Sequence, residues 1–108
     1  MPRPSRPSPR ELVEGWPDTR ADDPVGEVAR QFALNLRAAI GDRSLRAAAE
    51  AAAMDHSTIQ AILQGRTWPD LYTVAKLEQG LDTDLWPGRN KQYTQPVTTP
   101  PAVPNPRR

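Results

Sequence analysis

Apolar residues recur at three- and four-residue spacing through the middle of the chain: Val25, Val28, Ala29, Phe32, Leu36, Ala39 and Ile40. That period places them on one stripe of a helix over about 24–40. Asp23 offers a side-chain oxygen to the first free amides, Pro24 fits the first helical position, and Gly41 stops the run. Ser44 then opens a second helix over about 45–52, LRAAAEAAA, whose side chains are nearly all one methyl wide. Asp55 caps a third helix over about 56–64, with Ile59, Ile62 and Leu63 on one face and Gly65 as a left-handed stop. Trp68-Pro69-Asp70 turns the chain and recaps it. Leu71, Val74, Ala75 and Glu78 step along a fourth helix closing at Gly80. Leu81, Leu85 and Trp86 predict a fifth short helical turn, capped by Asp82 or Thr83 and ended by Pro87.

Composition sets the boundaries. Of 13 prolines in 108 residues, only Pro69 lies between positions 24 and 87. The foldable part is thus an all-α domain over 24–87, between an N-terminal arm (1–23) and a basic tail (88–108), both expected to be disordered and proline-rich. Residues 11–24 hold Leu12, Val13 and Trp16, which fit a short helical turn docking on the domain or on a partner. A domain this small buries only about 60% of the surface its unfolded chain exposes, so its fold must be compact and local.

The chemistry open to the chain is narrow. It has no cysteine and one histidine, His56, so neither a disulfide nor a thiolate or histidine zinc site is expected, and no cofactor. No glycine-rich phosphate loop or metalloprotease motif is present, and an enzyme is not expected. The longest nearly apolar stretch, Ala47 to Met54, is interrupted by Glu50 and is far shorter than the roughly 20 residues that span a bilayer. With no signal-peptide core, a cytoplasmic protein without membrane or small-molecule partner is expected. The formal net charge is +1, but residues 25–86 sum to −2 and residues 87–108 to +4, so a polyanion must be met locally.

Two short helices joined by about three residues, the first nearly all alanine and the second with a polar face, are the pattern of a helix-turn-helix. Small side chains let the helices approach closely, and the second can enter a DNA major groove while Ile59, Ile62 and Leu63 stay in the core. Over about residues 25–86 the sequence resembles the phage-repressor family of helix-turn-helix domains, the Cro/cI-like or XRE group, on Ser44, Ala49, Ser57-Thr58-Ile59, Gly65-Arg66, Pro69 and the trailing LDTDLW.

The resemblance implies a compact five-helix, lambda-repressor-like domain and a sequence-specific double-stranded DNA-binding regulator, a phage or mobile-element repressor or Cro-like protein acting by operator occupancy. It also implies dimers on palindromic half-sites about one helical turn apart. Leu81, Leu85 and Trp86 are candidates for a homodimer face, with a monomer aided by its arms left open. Carried over by position, His56, Ser57, Gln60 and Ala61 would face the bases. Gln60 would read an adenine edge, Ala61 would meet a thymine methyl, and His56 or Ser57 would donate to a guanine or a phosphate. Arg43, Ser44, Arg46 and Arg66, with the backbone after Gly65, would grip phosphates.

The chain departs from the family where Ala48 replaces a leucine and Ala53 replaces the turn glycine. An unfilled leucine-to-alanine gap costs about 2 to 5 kcal/mol and a left-handed alanine about 1; Trp68, Trp86 or Met54 are candidates to refill the space. Leu63 stands where the family has the glutamate partner of a first-helix arginine, here Arg37. The GDRS loop is one residue longer than usual, Gln64 reads as an ordinary helix-surface residue, and the tryptophans read as core rather than as stacking platforms. A protein-interaction module on the same scaffold, such as an antitoxin or anti-repressor using Trp16, Trp68 or the tails, is the rival expectation.

Overall fold

The computed structural model describes residues 6–89, and these form an all-helical structure with no strand. Its helices are α1 (Pro24–Ile40), α2 (Leu45–Ala52), α3 (His56–Leu63) and α4 (Leu71–Leu81), preceded by one 3-10 turn, Pro9–Leu12. Each α-helix begins where an oxygen-bearing side chain satisfies amides that have no intrahelical partner. Asp23 accepts from the amides of Val25 (2.8 Å) and Gly26 (2.9 Å), Ser44 from Ala47 (3.0 Å), Asp55 from Ser57 (3.3 Å) and Asp70 from Thr73 (2.9 Å).

The core gathers one face from every helix. Phe32, Leu36 and Ile40 of α1 meet Ala48, Ala49 and Ala52 of α2, Ile59 and Ile62 of α3, and Val74, Leu77 and Leu81 of α4, with Leu85 closing the end. Each fully buried Leu, Ile or Phe side chain contributes roughly 1.5 to 3 kcal/mol of transfer free energy. Ala48 is fully buried, and of the residues suggested to fill the space beside it Met54 packs on the core. Trp68 is only half-buried and Trp86 is 57% exposed, so the tryptophans are not core residues; Phe32 is the core aromatic.

Three expectations are corrected. First, there is no fifth helix among residues 82–89. Asp82 does not start a helix but takes a left-handed conformation (φ 55°, ψ 46°) that ends α4. The amides of Leu85 and Trp86 then donate to one oxygen of Glu78 (2.8 and 2.9 Å), and Asn35 Nδ2 donates to the Leu85 carbonyl (2.9 Å). These bonds satisfy an extended segment better than a helix cut off by Pro87, which could close barely one internal bond. Leu85 is thereby fully buried and Leu81 nearly so, leaving Trp86 as the one exposed member of the suggested dimer face.

Second, α4 does not stop at Gly80, and α3 ends at Leu63, one residue earlier than predicted. Third, residues 6–23 are not a disordered arm. They form a strap that runs from the start of α1 to the far end of α3, burying Val13, Pro9 and Ala21. The strap is tied to α1 by Glu27, a fully buried carboxylate that accepts from the Ala21 amide (2.8 Å) and pairs with Arg30 (2.7 Å). Arg30 in turn donates to the Pro17 carbonyl (3.1 Å). Hydrogen bonds from Arg30, foremost, and from Ala21 and Gln31 hold the Glu27 carboxyl down at about 2 against the opposing effect of burial. Residues 1–5 of the expected arm and 90–108 of the expected tail lie outside the described residues.

Candidate nucleic-acid interface

The link between α2 and α3 is three residues, and its first, Ala53, is left-handed (φ 56°, ψ 50°). A left-handed alanine costs about 1 kcal/mol or more, because its Cβ crowds the following carbonyl. The conformation lets the Ala53 and Met54 amides reach back to the Glu50 and Ala49 carbonyls (3.1 and 3.0 Å), and Lys76 Nζ from α4 secures the Ala53 carbonyl (2.8 Å). Asp55 then restarts the chain as α3. The amide of Ser57 holds the Asp55 carboxyl below the usual range. Asp55 therefore caps α3, as its position in the sequence suggested.

With Ile59 and Ile62 buried, about 100° per residue puts Ser57 and Gln64 directly opposite the core, Gln60 and then His56 to one side of that line, and Ala61 and then Thr58 to the other. Ser57 and Gln64 are exposed, while His56, Gln60 and Ala61 are half-buried. The four residues expected to face bases thus share the outer half of one helix, His56 nearest the core side. His56 Nδ1 lies 3.6 Å from an Asp55 oxygen, an ion-pair distance rather than a hydrogen bond. Gln64 stands out more than the sequence suggested: it is on the outermost line and its Oε1 accepts from Arg66 Nε (2.7 Å). Counting outward from Ile59 and Ile62 in the sequence is the signal that would have singled it out.

The expected phosphate contacts fall into two groups, one at the start of α2 and one past the end of α3. Arg43 donates through Nη2 to the Ala39 carbonyl (3.1 Å), which extends the end of α1. The Ser44 oxygen is the α2 cap, leaving its hydroxyl proton to donate elsewhere. Arg46 is exposed and makes no side-chain hydrogen bond or ion pair among the described residues. Arg66 is exposed and keeps its two terminal nitrogens beyond the bond to Gln64. Arg37 likewise has no ion pair among the described residues, and Leu63, in the place of its acid, packs on the core.

Of the backbone at and just after Gly65, expected to grip phosphates, two amides are taken up by the helix end. The Gly65 and Arg66 amides donate to the Ile62 and Ala61 carbonyls (3.0 and 2.9 Å) and close the helix end. Gly65 is required here, since its φ is +72° and an added Cβ would lie 2.7 Å from the Trp16 ring and 2.8 Å from Arg10 Cβ. The strap completes the closure: Trp16 Nε1 donates to the Leu63 carbonyl (2.9 Å) and the Arg10 amide to the Gly65 carbonyl (2.9 Å). The last four carbonyls of α3, Gln60 to Leu63, are all satisfied in this way.

Elsewhere, an apolar groove of about 580 Å³ runs between Val25, Phe32, Trp68 and Trp86, with Arg6 and Arg89 at its rim. No helix among the described residues is long and apolar enough to cross a membrane. Comparison of the chain with protein-family models and with curated proteins finds no match in either.

Proposed function

We propose that the chain binds double-stranded DNA in a sequence-specific manner, as a small transcriptional regulator of the repressor or Cro-like kind acting by operator occupancy. One observation carries the reading. A short helix, α3, is held to the core by Ile59 and Ile62 and by a three-residue turn from α2, whose buried residues are all alanine, and turns a polar line of Ser57, Gln60 and Gln64 outward. Such a helix is narrow enough to enter a major groove about 12 Å wide. Gln60 and Gln64 carry the paired donor and acceptor that match adenine, and the Ala61 methyl can meet a thymine methyl. Arg43, Ser44 and Arg46 at the start of α2 and Arg66 past the end of α3 would hold the phosphates flanking the groove. Because residues 25–86 sum to a net −2, these few cations, not the net charge of the domain, would carry the attraction.

The test is equilibrium binding to duplex DNA by the native chain and by the triple variant Arg43→Ala, Arg46→Ala, Arg66→Ala. The native chain is expected to bind with a steep salt dependence, and the variant to lose about three units of slope in log K against log salt. Unchanged DNA binding in the variant contradicts the assignment. No duplex binding by the native chain turns the reading to a protein-interaction module on the same scaffold.

A further inference from the structure

The sequence pattern places residues 6–23 outside the binding domain, but the strap covers the C-terminal end of α3, beside the expected phosphate contact Arg66. Three bonds fix it there: the Arg10 amide to the Gly65 carbonyl (2.9 Å), Trp16 Nε1 to the Leu63 carbonyl (2.9 Å) and Trp68 Nε1 to the Pro7 carbonyl (2.8 Å). The Gly65 and Arg66 amides are already committed to the helix end. These two amides are therefore closed to a phosphate arriving at this edge, where exposed guanidinium groups can still hold one.

The strap supplies one. Arg10 Cβ lies against Gly65, within 2.8 Å of where a Cβ on that glycine would sit, so its guanidinium extends from a backbone locked next to Arg66. Arg10 is exposed and its side chain makes no hydrogen bond or ion pair among the described residues. The two glutamates nearest Arg10 in the chain are engaged elsewhere. Glu11 is turned back onto the Ser8 amide (2.8 Å), and Glu11 and Glu14 line a separate hollow with Thr19, Arg20 and Asp22.

We propose, resting on the DNA reading above, that the strap is part of the DNA-binding surface and that Arg10 is a phosphate contact beside Arg66. Its anchoring through backbone, not side chain, makes this separable from folding: replacing the side chain leaves the Arg10 amide on Gly65 intact. A guanidinium on a fixed backbone also loses less freedom on binding than one on a loose arm.

The experiment measures binding of the full chain to a random-sequence duplex of about 25 base pairs between about 50 and 200 mM salt, where each phosphate contact adds about 0.9 to the slope. Arg10→Ala and Arg66→Ala are each expected to flatten the slope by about one unit, so that their loss of affinity across this range is about threefold smaller than that of the native chain. Arg10→Lys keeps the slope, and Arg20→Ala, on the acidic hollow, leaves it unchanged. A thermal melt of Arg10→Ala matching the native chain shows that the fold is kept. Arg10→Ala with the native slope, or Arg20→Ala flattening it equally, overturns the assignment of Arg10 while leaving the DNA reading intact. Failure of the native chain to bind duplex at about 50 mM salt overturns both.

Discussion

Gly80 of α4 lies directly on the backbone of Ala52 in α2: a Cβ added to Gly80 would stand 2.5 Å from the Ala52 Cα and 2.5 Å from the Ala51 carbonyl oxygen. No real Cβ occupies such a position, so the alanine-rich α2 and the glycine of α4 are two halves of one close crossing. Helix propensity alone favours alanine over a mid-helix glycine by about 1 kcal/mol. Here the overlap is with backbone that cannot swing aside, and forced overpacking costs typically 1 to 3 kcal/mol. The overlap outweighs the propensity gain, and Gly80→Ala is expected to destabilise the domain by about 1 kcal/mol in urea unfolding. A stabilised variant would mean that the two helices part easily.

Ala53 gives the opposite sign. Its left-handed backbone (φ 56°) is intrinsic strain, and its side chain is exposed, so a methyl lost there leaves no cavity. Glycine removes about 1 kcal/mol of strain and gives back part of it through greater freedom of the unfolded chain. Ala53→Gly is expected to stabilise by about 0.5 kcal/mol, read as a melting temperature higher by roughly 2 to 4 °C. A fall would show that the turn is not strained.

Glu27 predicts the acid limb of stability. Its folded pKa is depressed from 4.5 to about 2, so its contribution is present above the unfolded value and is lost as pH falls through the folded one. The linkage is worth about 3 kcal/mol across that window. The native chain is expected to lose stability steeply between about pH 5 and pH 2, and Glu27→Gln to be less stable at pH 7 but flatter over the same range. Parallel curves for the two proteins would contradict the buried pair. Glu27→Ala, which strands Arg30 against the strap, is expected to cost roughly 3 to 5 kcal/mol.

Gln60→Ala separates reading from gripping. Loss of a bidentate contact to adenine costs roughly 1 to 3 kcal/mol on the preferred sequence and nothing on random duplex. Equal losses on both, measured by competition binding, would remove Gln60 from the reading set.

The parts of the fold legible in the sequence were those set locally. Asp23, Ser44, Asp55 and Asp70 each cap the helix whose start they marked, because a cap acts within three residues of itself. The inward stripe of α3 followed from Ile59 and Ile62 alone. What sequence reading missed depends on distant partners. The strap looked unable to fold because its own apolar content is small, yet Trp16 finds its acceptor 47 residues away at Leu63, and Trp68 finds one 61 residues away at Pro7. The fifth helix was lost in the same way, since the amides it needed are taken by Glu78, which sequence pattern placed only as a helical step. Of the candidate site, the outward line of α3 was visible by periodicity, whereas the place proposed for Arg10 rests on its amide bond to Gly65, which no local pattern announces.

Selection of bound sequences from random duplex DNA by the native chain at about 150 mM salt tests sequence-specific binding most directly, since that is a salt at which non-specific contacts are weak. An enriched motif of a few base pairs per half-site, with preference lost on substitution of Gln60, is the expected result, and its symmetry would show whether two copies bind together. A pool that leaves the selection as random as it entered would contradict sequence-specific binding.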